Sequence, residues 1–267
     1  MPELPEVETI ARELNARARN RIISAIHVFW TRTLQNPAEE FIRLLAGKKI
    51  IGVSRRGKYI IMQCSGPFLF TIHLRMTGKL LFRLAEKERR SLRLQIDFTD
   101  GSALYFVDSR KFGKMKLWPA AEPLLADLGP EPLESETILR ALQGLKTSRA
   151  IKTVLLDQKI LAGLGNIYAD EALFRSRIHP LTPAKSLKRN QQKRLSLAVP
   201  EILKSAIDRK GTTLRDYRTT HNIGGENQNH LYVYGLSGRS CRRCRSSIQK
   251  IRISGRSSCF CPSCQKK

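Results

Sequence analysis

Apolar residues at Val7, Ile10, Ala11, Leu14 and Ala18 recur at the spacing of one helix face. The chain therefore opens with an amphipathic helix over residues 7–18. The texture then turns strand-like. Ile22–Trp30, Lys49–Val53, Tyr59–Gln63, Phe68–His73, Lys79–Arg83, Leu92–Phe98 and Ala103–Val107 are short, often alternating runs. Gly57, Ser65-Gly66-Pro67 and Asp100-Gly101 punctuate them as turns. Phe41–Leu45 reads as a short intervening helix. Many strands at short intervals predict a sandwich or barrel. Beyond the proline-rich stretch Leu128-Gly129-Pro130-Glu131-Pro132 the period becomes helical, over Glu136–Leu142, Ala150–Leu156, Asn166–Phe174 and Leu187–Ile207. Gly224-Gly225 and the polar run Glu226–Asn229 read as a mobile loop, and a small cysteine module begins at Ser237. The fold class is thus α+β and multidomain: an N-terminal β-sandwich domain with its opening helix over 1–130, a helical domain over 131–220, a flexible loop over 221–236 and the module over 237–267.

Charge narrows the partners. Lys and Arg number 48 against 23 acidic residues, a formal net charge of +25 spread along all 267 residues. A folded chain so basic repels itself unless a polyanion neutralises it. Nucleic acid is favoured over an anionic membrane surface, because no basic amphipathic helix with aromatic anchors stands out. No apolar run reaches membrane-spanning length and no secretory signal is evident, so a cytoplasmic location is expected. Five of the six cysteines fall in the last 27 residues. Cys241-x2-Cys244 and Cys261-x2-Cys264, 16 residues apart, have the spacing of a four-cysteine Zn2+ site with a hairpin between the pairs. Cys259 stands too close to Cys261 for the usual knuckle and reads as a bystander. A module of about thirty residues needs such a metal to fold.

Two further segments carry chemistry. Removal of Met1 would leave Pro2 with a free secondary amine, and an α-amino group of pKa roughly 8 is partly unprotonated near neutrality and able to form a Schiff base. Glu3 beside it could move a proton. The plainer reading is a helix start, with Glu3, Glu6 and Glu8 facing the positive end of the dipole. Leu156–Tyr168 reads as a helix end, a glycine-punctuated turn and a new helix with Asn166 at the N-cap, where exposed N–H groups suit a phosphate.

Together these segments resemble the bacterial formamidopyrimidine-DNA glycosylase family, in its oxidised-purine branch. The resemblance is carried in order by Met1–Thr9, Arg56-Gly57-Lys58-Tyr59, His73–Gly78, Asp108–Gly113, Gly163–Glu171 and the four-cysteine finger. It implies a monomeric repair enzyme, associated with the nucleoid through DNA, that removes 8-oxoguanine and formamidopyrimidines from double-stranded DNA. It also implies cleavage of the abasic site by β,δ-elimination. It implies a helix–two-turn–helix domain and one structural Zn2+. By resemblance Pro2 attacks the sugar C1′, Glu3 assists ring opening, Glu6 organises the site, Lys58 serves strand cleavage and phosphate binding, and Arg256 contacts phosphate and assists the second elimination. Met76, Arg110 and Phe112 match the trio that fills the gap left by an extruded base; Asn166 matches a phosphate contact, with Lys146 in a thinned basic run nearby. The loop 219–230 corresponds to the one that closes over the lesion. Where the family commonly has His-x-His, this chain has Ser91-Leu92-Arg93, so Arg93 or Arg90 is expected to take over that DNA contact. A relative acting on oxidised pyrimidines and a non-catalytic DNA-binding protein on the same scaffold are the alternatives. Leu4-Pro5 and the Met76, Arg110, Phe112 trio speak against the first, and Pro2, Glu3 and Lys58 against the second.

Overall fold

The computed structural model describes residues 1–119 and 124–266. They divide into two compact units: residues 1–126 with 209–228, and residues 127–208 with 229–267. In the first unit, α1 (Leu4–Ala18) precedes two four-stranded antiparallel sheets. One has the order β1-β6-β7-β5, built from β1 (Ile23–Val28), β6 (Leu92–Phe98), β7 (Ala103–Val107) and β5 (Lys79–Leu81). The other has the order β2-β3-β4-β8, built from β2 (Ile50–Arg56), β3 (Tyr59–Cys64), β4 (Phe68–His73) and β8 (Lys114–Pro119). Inward residues of both sheets, among them Ile26, Ile96, Phe106, Ile60, Phe70 and Met115, share one core with Val7, Ile10 and Leu14 of α1. This is the expected sandwich.

Two differences from the sequence reading have local causes. The helix begins three residues earlier than its apolar period indicates. Pro5 occupies the second helical position, where a missing N–H costs nothing because it has no intrahelical acceptor. Strand β8 was not expected. Its Met115 and Leu117 are buried and alternate with partly exposed Lys114, Lys116 and Trp118, completing the sheet against β4.

The second unit holds α3 (Ser135–Gln143), α4 (Ile151–Leu155), α5 (Asn166–Arg175) and the long α6 (Arg189–Asp208), with α3 and α5 packed on α6. A further short helix, α2 (Ala38–Leu45), lies in the first unit. The C-terminal module is the antiparallel hairpin β9 (Gln249–Ile253) and β10 (Arg256–Phe260) beside the cysteines. The chain leaves the helical unit after Asp208: residues 209–228 pack with the sandwich instead. The segment read as mobile is well tied there. Glu226 N–H donates to Arg209 O, Asn227 N–H to Gly211 O and Thr219 N–H to Ile223 O. Among the described residues no helix is long and apolar enough to cross a membrane.

Candidate active site and nucleic-acid interface

Pro2 is buried at the mouth of α1. Glu3 takes the N-cap, and its side chain accepts the backbone N–H of Glu6 while Glu6 Oε2 accepts the Glu3 N–H at 2.8 Å. This reciprocal capping box stabilises a helix start by about 1 kcal/mol and fixes both carboxylates. Glu6 Oε1 also accepts the Thr212 N–H at 2.7 Å. That approach needs Gly211, because a Cβ there would lie 2.9 Å from Glu6 Cγ, and its φ is +79°. Further along the same helix, Glu13 Oε2 accepts both the N–H and the hydroxyl of Thr220. Lys58 follows Gly57, whose φ of +57° closes the β2–β3 hairpin, and is buried despite its place in a turn. Arg55 ties this turn to α1: its Nε donates to Glu8 at 2.8 Å and its Nη1 to Gly57 O at 3.0 Å. Burial pushes the Glu8 carboxyl up, but the Arg55 and Arg12 guanidiniums outweigh it and hold its pKa below the ordinary value. Pro2, Glu3, Glu6 and Lys58 thus belong to one helix start and the hairpin braced against it.

His73 ends β4 opposite Tyr59. Its Nδ1 accepts the Arg75 N–H at 3.0 Å. Burial, helped by the positive charges of Arg75 and Lys58, pushes its pKa down to about 3. The folded value lies below the unfolded value of roughly 6.5, so the neutral ring's contribution is complete above that pH. It is lost as pH falls toward 3. Between pH 7 and 5 the urea midpoint of the native protein is expected to decline more steeply than that of His73→Asn, which keeps an acceptor but does not titrate. Parallel profiles would refute the assignment.

Met76, Arg110 and Phe112 sit in two neighbouring loops of the same unit. Met76 is 38% and Phe112 49% exposed. The Arg110 guanidinium lies 4.8 Å from the Phe112 ring centroid. Burying such side chains favours any partner that accepts them.

In the second unit the glycine turn is built by Gln158. Its Oε1 accepts the Gly163 N–H and its Nε2 donates to Leu164 O, both at 2.9 Å. Gly165, not Asn166, takes the N-cap conformation of α5, with φ −134° and ψ −162°. Asn166 is instead the first helical residue, and its Nδ2 donates to Ser257 O of the finger hairpin at 3.0 Å. Its Oδ1 is buried without a hydrogen-bond partner. Arg256 stands exposed at the start of β10, and Lys146 is exposed ahead of α4. The Sγ atoms of Cys241, Cys244, Cys261 and Cys264 all lie within 4.8 Å of one another, with Cys244–Cys261 at 3.4 Å and Cys241–Cys264 at 4.0 Å. Tetrahedral Zn–S bonds of about 2.3 Å set sulfurs about 3.8 Å apart, so the donor set fits that ion. Cys259 lies outside the cluster, packed with Phe174, Val233 and Ile248.

The comparisons with known proteins follow this division. Residues 1–115 match the model of the formamidopyrimidine-DNA glycosylase N-terminal domain, 128–218 that of the formamidopyrimidine-DNA glycosylase H2TH domain, and 240–267 that of the zinc finger found in FPG and IleRS. The formamidopyrimidine-DNA glycosylase of Chloroflexus aurantiacus is 41% identical over 271 residues, covering 99% of this chain and 98% of the relative. The chain belongs to the formamidopyrimidine-DNA glycosylase family. Solved structures of that family agree over the full length. A Lactococcus lactis FPG mutant in complex with a Fapy-dG containing DNA aligns with a TM-score of 0.91 and 38% identity over 100% of both chains. The Lactococcus lactis Fpg complex with an abasic site containing DNA aligns with the same TM-score and identity over 99% of this chain and 100% of that one.

Against the glycosylase pattern, the expected substitution of Arg93 for a DNA-contacting histidine is not what the fold does with it. Arg93 is buried, with Nε donating to Asp108 O at 2.8 Å and Nη1 to Arg90 O and Leu92 O. Its guanidinium satisfies main-chain carbonyls beside the start of β6, where the register with β7 shifts between Leu92 and Leu94, while the regular alternation places Leu94, Ile96 and Phe98 in the core. Ser91 O likewise accepts the Asp108 N–H at 2.8 Å. Arg90 is exposed. Sequence reasoning also missed Arg55, Gln158 and Asp108. Each stands within or beside a recognised glycosylase segment, and that adjacency was the available signal.

Proposed function

We propose that this protein removes oxidised purines, 8-oxoguanine and formamidopyrimidines, from duplex DNA and then cleaves the abasic strand through a Schiff base at Pro2. The observation that carries the reading is the reciprocal Glu3–Glu6 cap, which holds Pro2 directly ahead of a helix start flanked by two carboxylates. Full-length kinship with DNA-bound glycosylases and a net charge of +25 support it.

With Met1 removed, the Pro2 amine attacks C1′ of the damaged nucleotide and the bond to the base nitrogen breaks, the base leaving with a proton. Glu3 assists sugar-ring opening as a proton donor, giving an iminium between Pro2 and C1′. The iminium acidifies the C2′ hydrogen, so β-elimination expels the 3′ phosphate. A second elimination, with Arg256 at the phosphate, releases the 5′ phosphate. Lys58 binds phosphate beside the reacting sugar. The base must leave the stack to reach the amine. Met76 and Phe112 then occupy the gap as apolar wedges while Arg110 hydrogen-bonds the widowed partner base. The loop 219–230 covers the extruded base, and Asn166 and Lys146 hold the backbone. One Zn2+ on Cys241, Cys244, Cys261 and Cys264 shapes the finger hairpin and takes no part in the chemistry.

Borohydride is expected to trap a covalent complex with a duplex carrying 8-oxoguanine opposite cytosine, seen as one gel-shifted species. No adduct from protein whose N-terminal proline is verified by mass spectrometry would sink the proposal.

A further inference from the structure

The two loops that carry Met76, Arg110 and Phe112 are joined by a buried carboxylate that the chemistry above does not use. Asp108 is 1% exposed. Its Oδ1 accepts the Thr77 hydroxyl at 2.5 Å and the Arg110 N–H at 3.2 Å, and its Oδ2 accepts the Gly113 N–H at 2.7 Å. The Arg110 N–H is shared with Thr77 Oγ1, also at 3.2 Å. One side chain therefore holds both ends of the 108–113 loop and, through Thr77, the residue next to Met76. The backbone of Asp108 is itself fixed from behind by Arg93 and by Ser91 O. Close packing leaves the loop ends no freedom to drift. A Cβ on Gly113 would fall 2.4 Å from the Phe106 ring and one on Gly78 2.4 Å from Leu74 O. Hydrogen bonds to an ionised acceptor are roughly twice as strong as neutral ones, and a buried carboxylate left short of donors is costly.

We infer that Asp108 and Thr77 are a positioning pair that locks Met76, Arg110 and Phe112 into one preformed wedge, and that discrimination of the base opposite the lesion depends on this lock. The inference rests on the reading that these three residues fill the gap in the duplex. Preorganisation is what the lock contributes: a wedge assembled before contact needs no ordering of two loops as it enters. Arg110 is the residue most affected, since a displacement of its backbone moves the guanidinium relative to the partner base.

The test uses the full-length protein with Thr77→Val, which keeps the shape and removes the hydroxyl, and Thr77→Ser, which keeps the hydroxyl. Single-turnover excision of 8-oxoguanine is measured opposite cytosine and opposite adenine. Cleavage of an abasic site in a single-stranded oligonucleotide, which has no partner base, serves as the control. Thr77→Val is expected to slow duplex excision about 10–100-fold and to shrink the cytosine-to-adenine ratio. The control should stay within about twofold, and Thr77→Ser should restore the ratio. Should Thr77→Val fail to fold, Asp108→Asn, which retains one acceptor oxygen and loses the one serving Gly113, carries the same expectation. A native ratio and rate in the folded variant, while Phe112→Ala abolishes both, would overturn the lock and leave the wedge standing. If Phe112→Ala also leaves rate and ratio native, the gap-filling reading falls and the lock with it.

Discussion

Glu3→Gln is expected to slow base removal by about 10²–10⁴-fold, the contribution of one well-placed acid, while the protein stays folded and binds lesion DNA within a few-fold of the native affinity. The asymmetry follows from the two tasks of this side chain. As N-cap, Glu3 needs only an oxygen to accept the Glu6 N–H, and a glutamine amide oxygen does that. As acid it must release a proton, which an amide cannot do. Glu3→Ala separates the tasks from the other side. It removes the acid and also the cap, so the same loss of rate should come with a stability loss of about 1 kcal/mol. Single-turnover kinetics with saturating enzyme, beside equilibrium binding to DNA with a non-cleavable abasic analogue, checks both. A rate in Glu3→Gln within about threefold of native would move the acid to another group.

The second large effect concerns stability. Asp170 and Lys152 form an ion pair in the helical unit in which both side chains are 1% exposed. The same carboxylate accepts the Ser258 hydroxyl at 2.6 Å and the Cys259 N–H at 2.9 Å, so it fastens β10 to α4 and α5. Breaking a buried pair from one side costs about 3–5 kcal/mol, because a charge is left without its partner in a medium that solvates it poorly. Asp170→Ala is therefore expected to lower the melting temperature by on the order of 10 °C in a scanning calorimeter. Lys152→Met on top of it removes the stranded charge and should recover part of that loss. Recovery stays incomplete, because the Cys259 N–H and the Ser258 hydroxyl still lack their acceptor. A single variant that melts within about 2 °C of the native protein would show that relaxation or water supplies the missing partner.

These two residues also mark how far the sequence could be read. Alternation exposed most strands of the sandwich, and two Cys-x2-Cys pairs exposed the finger, because both patterns are local. Strand β8 has the same alternation but runs straight on from the Asp108–Gly113 segment with no turn between them to mark its start. The apolar period sets the opening helix late because its first member is Val7, whereas the proline and acids ahead of it, which also read as a helix start, carry no period. The charged residues inside were illegible for a different reason. Asp170 meets Ser258 across 88 positions. Glu171 accepts the N–H groups of Tyr232, Val233 and Tyr234 some sixty positions away. Arg93 looks like one more exposed cation, opposite in parity to Leu94, Ile96 and Phe98, and only its bonds to the carbonyls of Asp108, Arg90 and Leu92 reveal its burial. Kinship named the active-site candidates, yet Arg55, Gln158 and Asp108, which hold those candidates in place, emerge only from the hydrogen bonds.

The contact between Gly211 and Gly225 has a consequence for how this protein could change. A Cβ on Gly225 would lie 2.1 Å from Gly211 O, and Gly211 in turn lies against Glu6. Thr213 Oγ1 accepts the Gly225 N–H and Gly211 O accepts the Asn227 N–H, so the segment between them is closed at its base. A loop pinched shut in this way can lengthen at little energetic expense, since each doubling of its length adds only about 0.6 kcal/mol. Within the stretch from 214 to 224, such lengthening fits only the exposed positions 214–216 and 221–223. Tyr217, buried with Val7, Ile10 and Leu14, and Thr220, held by Glu13, must keep their places with the two glycines, because both rest on the helix that presents Pro2. Surface variation in this segment is thereby confined to two short stretches on either side of a fixed anchor.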